Sequence, residues 1–143
     1  MDLDTTESIS PQRLYPSVYT STGGLSILGN EHILRKAFYD PILYVSLYTA
    51  DADNAELEGN GYLRGFWPQE HKDINLSESQ ITNNRAIEIY ISDSNSSQTA
   101  RYLAIHDSET DGNQLIERVQ IPATTPGRAS RVKVPKGALV LEV

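Results

Sequence analysis

The sequence predicts a mostly-β fold: a β-sandwich or jelly-roll-like domain of about seven strands, with one short N-terminal helix and an extended N-terminal arm. Three observations carry this. Several short runs alternate apolar and polar residues with period two, as a strand with one buried face requires. Turn-forming residues separate those runs by roughly 8–12 positions, the rhythm of a sandwich. No βαβ rhythm, Gly-rich phosphate loop or internal repeat is present.

Residues 1–26 read as the arm. Ser and Thr dominate it, Pro11 and Pro16 oppose helix, and Gly23-Gly24 loosens the backbone. Leu14, Tyr15, Val18 and Tyr19 interrupt this polar run. A wholly solvated tail is poor in such residues, so these four are the candidate partner-docking positions, laid along another protein's surface.

Residues 27–143 read as a single β domain with a leading helix. The spacing predicts that helix over 30–39. Asn30 can cap it, Glu31 sits at the positive end of its dipole, and Ile33, Leu34, Ala37 and Phe38 share one face. Asp40-Pro41 stops it. So short a helix needs a packing partner. Period-two strands follow at 42–49, 61–67, 85–91, 100–106, 114–121, 130–134 and 138–143, while 68–80 reads as a polar loop. Pro135-Lys136-Gly137 turns between the last two strands. The C-terminal strands are expected in the core.

Composition excludes several functions. The 143 residues suit one domain. Twelve Lys+Arg face 19 Asp+Glu, a net charge of −7, and nucleic acid binding needs clustered positive charge. The nearest basic set, Arg128, Arg131, Lys133 and Lys136, alternates with small and apolar residues and reads as the solvated face of a late strand. The absence of cysteine removes disulfides, thiolate metal sites and Cys nucleophiles. No apolar stretch approaches the ~18–20 residues of a membrane span. Met1-Asp2-Leu3-Asp4 does not resemble a signal peptide, so a cytosol-like compartment, or a particle released from one, is expected.

Two acidic loops invite a metal reading. In residues 51–58, Ala55 and Glu56 occupy positions where a calcium loop needs a ligand and a glycine. In residues 107–118, acids stand at the first, third and fifth positions and Gly112 at the sixth, but Arg118 takes the place of the final bidentate carboxylate. A hairpin turn at Asp111-Gly112 fits better. His32, His71 and His106 are not at ligand spacing, and no serine sits in a G-x-S-x-G elbow. No catalytic residue, cofactor or metal site is therefore expected. Of the clustered aromatics Tyr44, Tyr48, Tyr62, Phe66 and Trp67, Phe66 and Trp67 are expected in the core; the other three are left open between core and interface.

The order of segments resembles a family of short bacteriophage tail fibre proteins. The carriers are Ile33 to Phe38, Leu43 to Asp51, Gly61 to Arg64, Ile81 to Asn83, Ala104 to Asp107, Gly112 to Leu115 and Pro135 to Val140, spread over about residues 30–143. Residues 92–99 stand where that family carries a Trp-containing stretch. The resemblance implies a virion structural protein of the tail fibre or baseplate, assembled in the host cytoplasm, with no catalytic residue to carry over. Particle symmetry then predicts a homo-oligomer, trimer or hexamer, joined to neighbouring virion proteins through the arm, with neither nucleic acid nor membrane as partner. A capsid decoration (cement) protein and a receptor- or carbohydrate-binding domain are the alternatives.

Overall fold

Alternating apolar residues build most of the strands. The computed structural model describes residues 6–9, 12–14, 31–59, 61–91, 98–124 and 131–142. Its strands are β1 (Thr6–Ser8), β2 (Gln12–Leu14), β3 (Leu43–Tyr48), β4 (Gly65–Trp67), β5 (Lys72–Asn75), β6 (Gln80–Asn83), β7 (Ile87–Tyr90), β8 (Ala100–His106), β9 (Val119–Thr124), β10 (Arg131–Val134) and β11 (Leu139–Glu142). They form three sheets, ordered β1-β10-β7, β2-β11-β6-β5 and β4-β3-β8-β9. The domain is mostly β, sandwich-like, with one short helix.

The strand orders share a cause. β1 runs into β2, β4 into β5, β6 into β7 and β10 into β11, each time passing from one sheet to another. Neighbour order is kept across the passage: β7-β10-β1 on one side matches β6-β11-β2 on the other. The β4–β5, β6–β7 and β10–β11 segments therefore bend at a common corner, which is how strands switch sheets in orthogonal packings. A backbone bridge between Leu63 and Tyr90 ties the approach to β4 onto β7. Among the described residues the strands beyond the seven that the periodicity predicts are β1 and β2, in the stretch that reads as the arm, and β5 and β6, between the second and third predicted strands.

Bending a strand frees backbone groups that must find other partners. Asn83, buried at the corner, supplies several. Its side-chain amide donates to the carbonyls of Arg85 and Pro135, both at 2.8 Å, and its side-chain oxygen accepts from the Leu139 N–H at 3.0 Å. Its own backbone carbonyl accepts from Gly137 at 2.8 Å. Gly137 has φ +78°, a left-handed conformation that favours glycine at this turn. At the neighbouring bend, the His71 carbonyl accepts from both Trp67 Nε1 (3.1 Å) and the Asn84 N–H (2.9 Å).

The core is apolar. Leu43, Val45 and Leu47 of β3 join Trp67, Leu103, Ile105, Ile87, Ile89, Val132, Leu139 and Leu141. Gly65 marks a close approach. A Cβ there would lie 2.5 Å from Ile87 Cγ2 and 3.0 Å from Ile89 Cγ1, so β4 packs on β7 only because the side chain is absent.

The helix differs from the predicted α-helix. It is α-helical at 31–33 and continues as a π-helix, Leu34–Tyr39, closed by the Asp40 N–H on the Arg35 carbonyl at 2.8 Å. Leu34 and Phe38 are buried. Its exit is held by Lys72, whose ammonium donates to the carbonyls of Phe38 (2.7 Å), Tyr39 (3.1 Å) and Pro41 (2.6 Å). That uses all three ammonium protons. Lys72 Nζ also stands 5.5 Å from the Trp67 ring centroid. Burial pushes the ammonium pKa down to about 7, against the pull of Asp40 and Glu70.

Strand β5 lies in the stretch 68–80 that reads as a loop, and β6 begins at its last residue and continues over 81–83, where no strand is predicted. They carry few apolar residues, and the buried positions include Lys72 and Asn83, whose polar atoms are spent on the helix exit and the corner. The predicted strand over 114–121 starts as isolated pairing at His106–Gln114; regular pairing with β8 begins only at Val119. Replacing Asn83 by Ala leaves buried backbone donors and acceptors without partners. We expect a loss of about 3 kcal/mol, read as a lower urea midpoint with an unchanged m-value; an Asn83→Ala variant as stable as the parent would show that the corner holds without it.

Candidate functional site

The outer face of the β4-β3-β8-β9 sheet is where polar residues gather. Ser46, a small polar residue in the otherwise apolar β3, is fully buried there. It lies opposite Ala104, and Tyr44 lies opposite His106. Loops fold over this face from the two ends of the antiparallel β3–β8 pair. After β3, Leu57 and Thr49 close a hairpin through Leu57 N–H to Leu47 (2.9 Å) and Thr49 N–H to Ala55 (2.8 Å). After β8, the Leu115 N–H returns to Ile105 at 2.8 Å.

Arg64 joins the two loops. Its Nε and Nη2 each reach a Glu56 oxygen at 2.7 Å, a bidentate pair. Its Nη1 donates to the carbonyls of Ser108 and Asp111, both at 2.8 Å. Tyr62 donates to Glu56 Oε2 at 2.7 Å and accepts from the Leu47 N–H at 3.2 Å. Burial works against the Glu56 charge, yet the hydrogen bonds from Arg64 and Tyr62 hold its carboxyl below the ordinary value. Burial raises the Tyr62 phenol well above its ordinary value, and Glu56 adds to the rise.

Arg118 makes a second clamp. It donates to Asp51 at 2.7 Å, to Asp53 at 2.9 Å and to Gln114 Oε1 at 2.9 Å, and its guanidinium lies 5.2 Å from the Tyr48 ring centroid. Both acidic loops that sequence tests as calcium loops are thus bridged by arginine, the protein's own cation. Asp107 instead folds its turn, accepting from the Asn113 N–H (2.7 Å) and Asn113 Nδ2 (2.9 Å). Asp111 and Gly112 both have positive φ, as the hairpin reading requires. Among the described residues, no group of three or more His, Asp or Glu is placed to hold a metal ion.

His106 sits beneath the clamps. Ser46 Oγ donates to the Ala104 carbonyl (3.3 Å), so it accepts from His106 Nδ1–H at 2.9 Å. Nε2 is then the acceptor for the Tyr48 hydroxyl at 3.2 Å. Burial, reinforced by the Arg64 charge, lowers the imidazole pKa to about 4, so the ring is neutral. A Ser-His pair invites comparison with a nucleophile and base, but this serine is fully buried and its hydroxyl proton goes to the Ala104 carbonyl, so it supports the ring.

Above lies an open cleft of about 400 Å³ lined by Tyr48, Asp53, Glu56, Arg64, His106, Asp111 and the 112–114 turn. Its arginine and glutamate are paired with each other, and its histidine is bonded to Ser46 and Tyr48. Tyr48 is 3% exposed, so it offers no ring face for stacking a sugar. The geometry makes this a clamp between loops.

Of the aromatics expected in the core, Trp67 is buried and Phe66 is not. Phe66 is 50% exposed, packing edge-on against His71 and tilted against Tyr44 at 6.4 and 6.1 Å between centroids. It shares its face with Tyr44, outside the area that the loops cover. Among the docking candidates, Leu14 is the last residue of β2; Tyr15, Val18 and Tyr19 lie outside the described residues. Sequence reading misses the Arg64–Glu56–Tyr62 set. Its signal is a charged residue in an aromatic, Gly-flanked run, and Ser46 gives a similar one in β3.

A β domain whose polar residues are spent on clamping its own loops has the build of a structural protein. Comparison with known families makes that class specific: residues 25–142 match the podophage GP4 fiber I protein gp80 family. The chain belongs to this family, and is a phage fibre structural protein and virion component. No curated protein and no solved structure matches the chain.

Acid should loosen this site first. The His106 value in the fold, about 4, lies below its ordinary 6.5, so the unfolded chain takes up a proton that the fold refuses. Stability is then full above pH 6.5 and falls as pH drops towards 4, by on the order of 3 kcal/mol for this group. Glu56, lowered in the fold, adds loss at still lower pH. Urea titrations from pH 7.5 to 4.5 should show this slope, and His106→Gln should flatten it. Arg64→Met should cost about 3–5 kcal/mol by stranding the Glu56 charge, and Arg64→Met with Glu56→Leu should recover much of that.

Proposed function

We propose that this protein is a tail fibre or baseplate component that assembles as a symmetric oligomer, a trimer or hexamer, in the host cytoplasm and joins neighbouring virion proteins through its N-terminal arm. The observation that carries this is how the arm meets the domain. β1 and β2 add as parallel edge strands to β10 and β11, and the Ile9 N–H donates to the Lys133 carbonyl at 2.9 Å. The arm therefore works by backbone pairing to sheet edges, a mode of attachment widely used between chains.

Exposed aromatics favour a second reading, a receptor- or carbohydrate-binding surface. Phe66 and Tyr90, 50% and 45% exposed, present rings to solvent. A capsid decoration protein would share the arm and the β domain. Electron microscopy of particles carrying a tagged copy separates the readings: density is expected at the tail fibre or baseplate. Label on the head would make it a decoration protein. Native mass measurement should give a trimer or hexamer, and a monomer at micromolar concentration, together with specific capture on a glycan array, would favour the receptor reading.

A further inference from the structure

The arm covers two edges that would otherwise be open. β10 is paired on its other side with β7, and β11 with β6; β1 and β2 occupy the remaining edges. An open edge is a template for another strand. The pairing in register Thr6–Arg131, Glu7–Val132 and Ser8–Lys133, then Gln12–Leu139 to Leu14–Leu141, specifies the backbone partners of the arm and nothing about which copy supplies them. Ile9, 3% exposed, is the buried side chain between the two strands.

Sixteen residues, 15–30, separate the end of β2 from the helical turn at residue 31. Their contour reaches up to about 50 Å at roughly 3.3 Å per residue. A domain of this size is on the order of 40 Å across. The connection is long enough to carry the arm to an adjacent copy. Charge fits as well. The arm carries Asp2, Asp4 and Glu7 before its first basic residue, Arg13, while β10 carries Arg131 and Lys133 on a chain of net charge −7.

We propose that in the assembled fibre the arm is exchanged: β1 and β2 of one copy occupy the β10 and β11 edges of the next, in the register seen within the chain. The same contacts then serve folding and assembly, and a chain of such exchanges closes into a ring when the copies are related by rotation. This rests on the oligomeric reading above and names the surface that joins the copies.

The chain has no cysteine, which makes the test clean. Ser8→Cys chains are co-expressed with Lys133→Cys chains, and the purified assembly is treated with a short bis-maleimide. A covalent dimer of the two variants is expected, forming at least about tenfold faster than with a Ser8→Cys and Ser77→Cys pair. The Ser8→Cys/Lys133→Cys double variant should link into covalent oligomers. Intrachain linkage alone in the double variant would overturn the exchange, and so would no linkage of either kind. If native mass still shows an oligomer in that case, assembly stands and exchange falls. A monomer would remove both.

Discussion

The fold depends on one constraint: three neighbouring chain segments, β4–β5, β6–β7 and β10–β11, must bend at the same level. A sheet cannot turn a corner without releasing some of its ladder, and every released N–H or carbonyl needs a partner away from water. The chain meets this with a few polar side chains placed inside. Asn83 ties two of the segments together, its own β6–β7 segment and the β10–β11 segment. The His71 carbonyl joins the bend after β4 to the bend after β6. Lys72, entering β5 at the same level, gathers the carbonyls at the exit of the π-helix. Helix and corner are therefore held by adjacent parts of a single bend, and neither can shift alone.

A second principle governs the sheet's outer face. Loops rich in carboxylates would repel one another on a chain of net charge −7. Two buried or half-buried arginines turn that repulsion into attachment. Arg64 accepts the cost of burial because Glu56 and two carbonyls use its planar fork fully, which lysine could not reproduce. Arg118 gathers Asp51 and Asp53 from 65 or more positions away. The neutral His106 underneath is a consequence: between a burial penalty and a nearby guanidinium, an imidazolium has no place.

Much of this was legible in sequence. The alternation in β3, β7 and β8 reports a buried face directly, and the Pro-Lys-Gly turn before β11 is where it reads. What was hidden has a common physical cause. β5 and β6 earn their place through Lys72 and Asn83, whose buried polar atoms look like loop chemistry when their partners are unseen. Phe66 looks like core because it is large, but it stands beside Gly65, and the glycine is the residue that meets Ile87. In the helix, the apolar face at Leu34 and Phe38 reads correctly, while the π register does not, and the lysine that caps its exit carbonyls is distant in sequence. The Arg118 that spoils the calcium pattern was visible; that it replaces the cation was not, because Asp51 and Asp53 belong to another loop.

The corner also bears on how such a chain can serve in a fibre. Because β10 and β11 are two halves of one bent segment, their edges turn the corner together, and any strand that covers both must bend with them. β1 lies on the one edge and β2 on the other, with Ile9 buried directly after β1. A straight strand from an unrelated protein could match one edge but not both. The bend thus acts as a filter on what can occupy the edges: a short segment, an apolar residue, then a second segment.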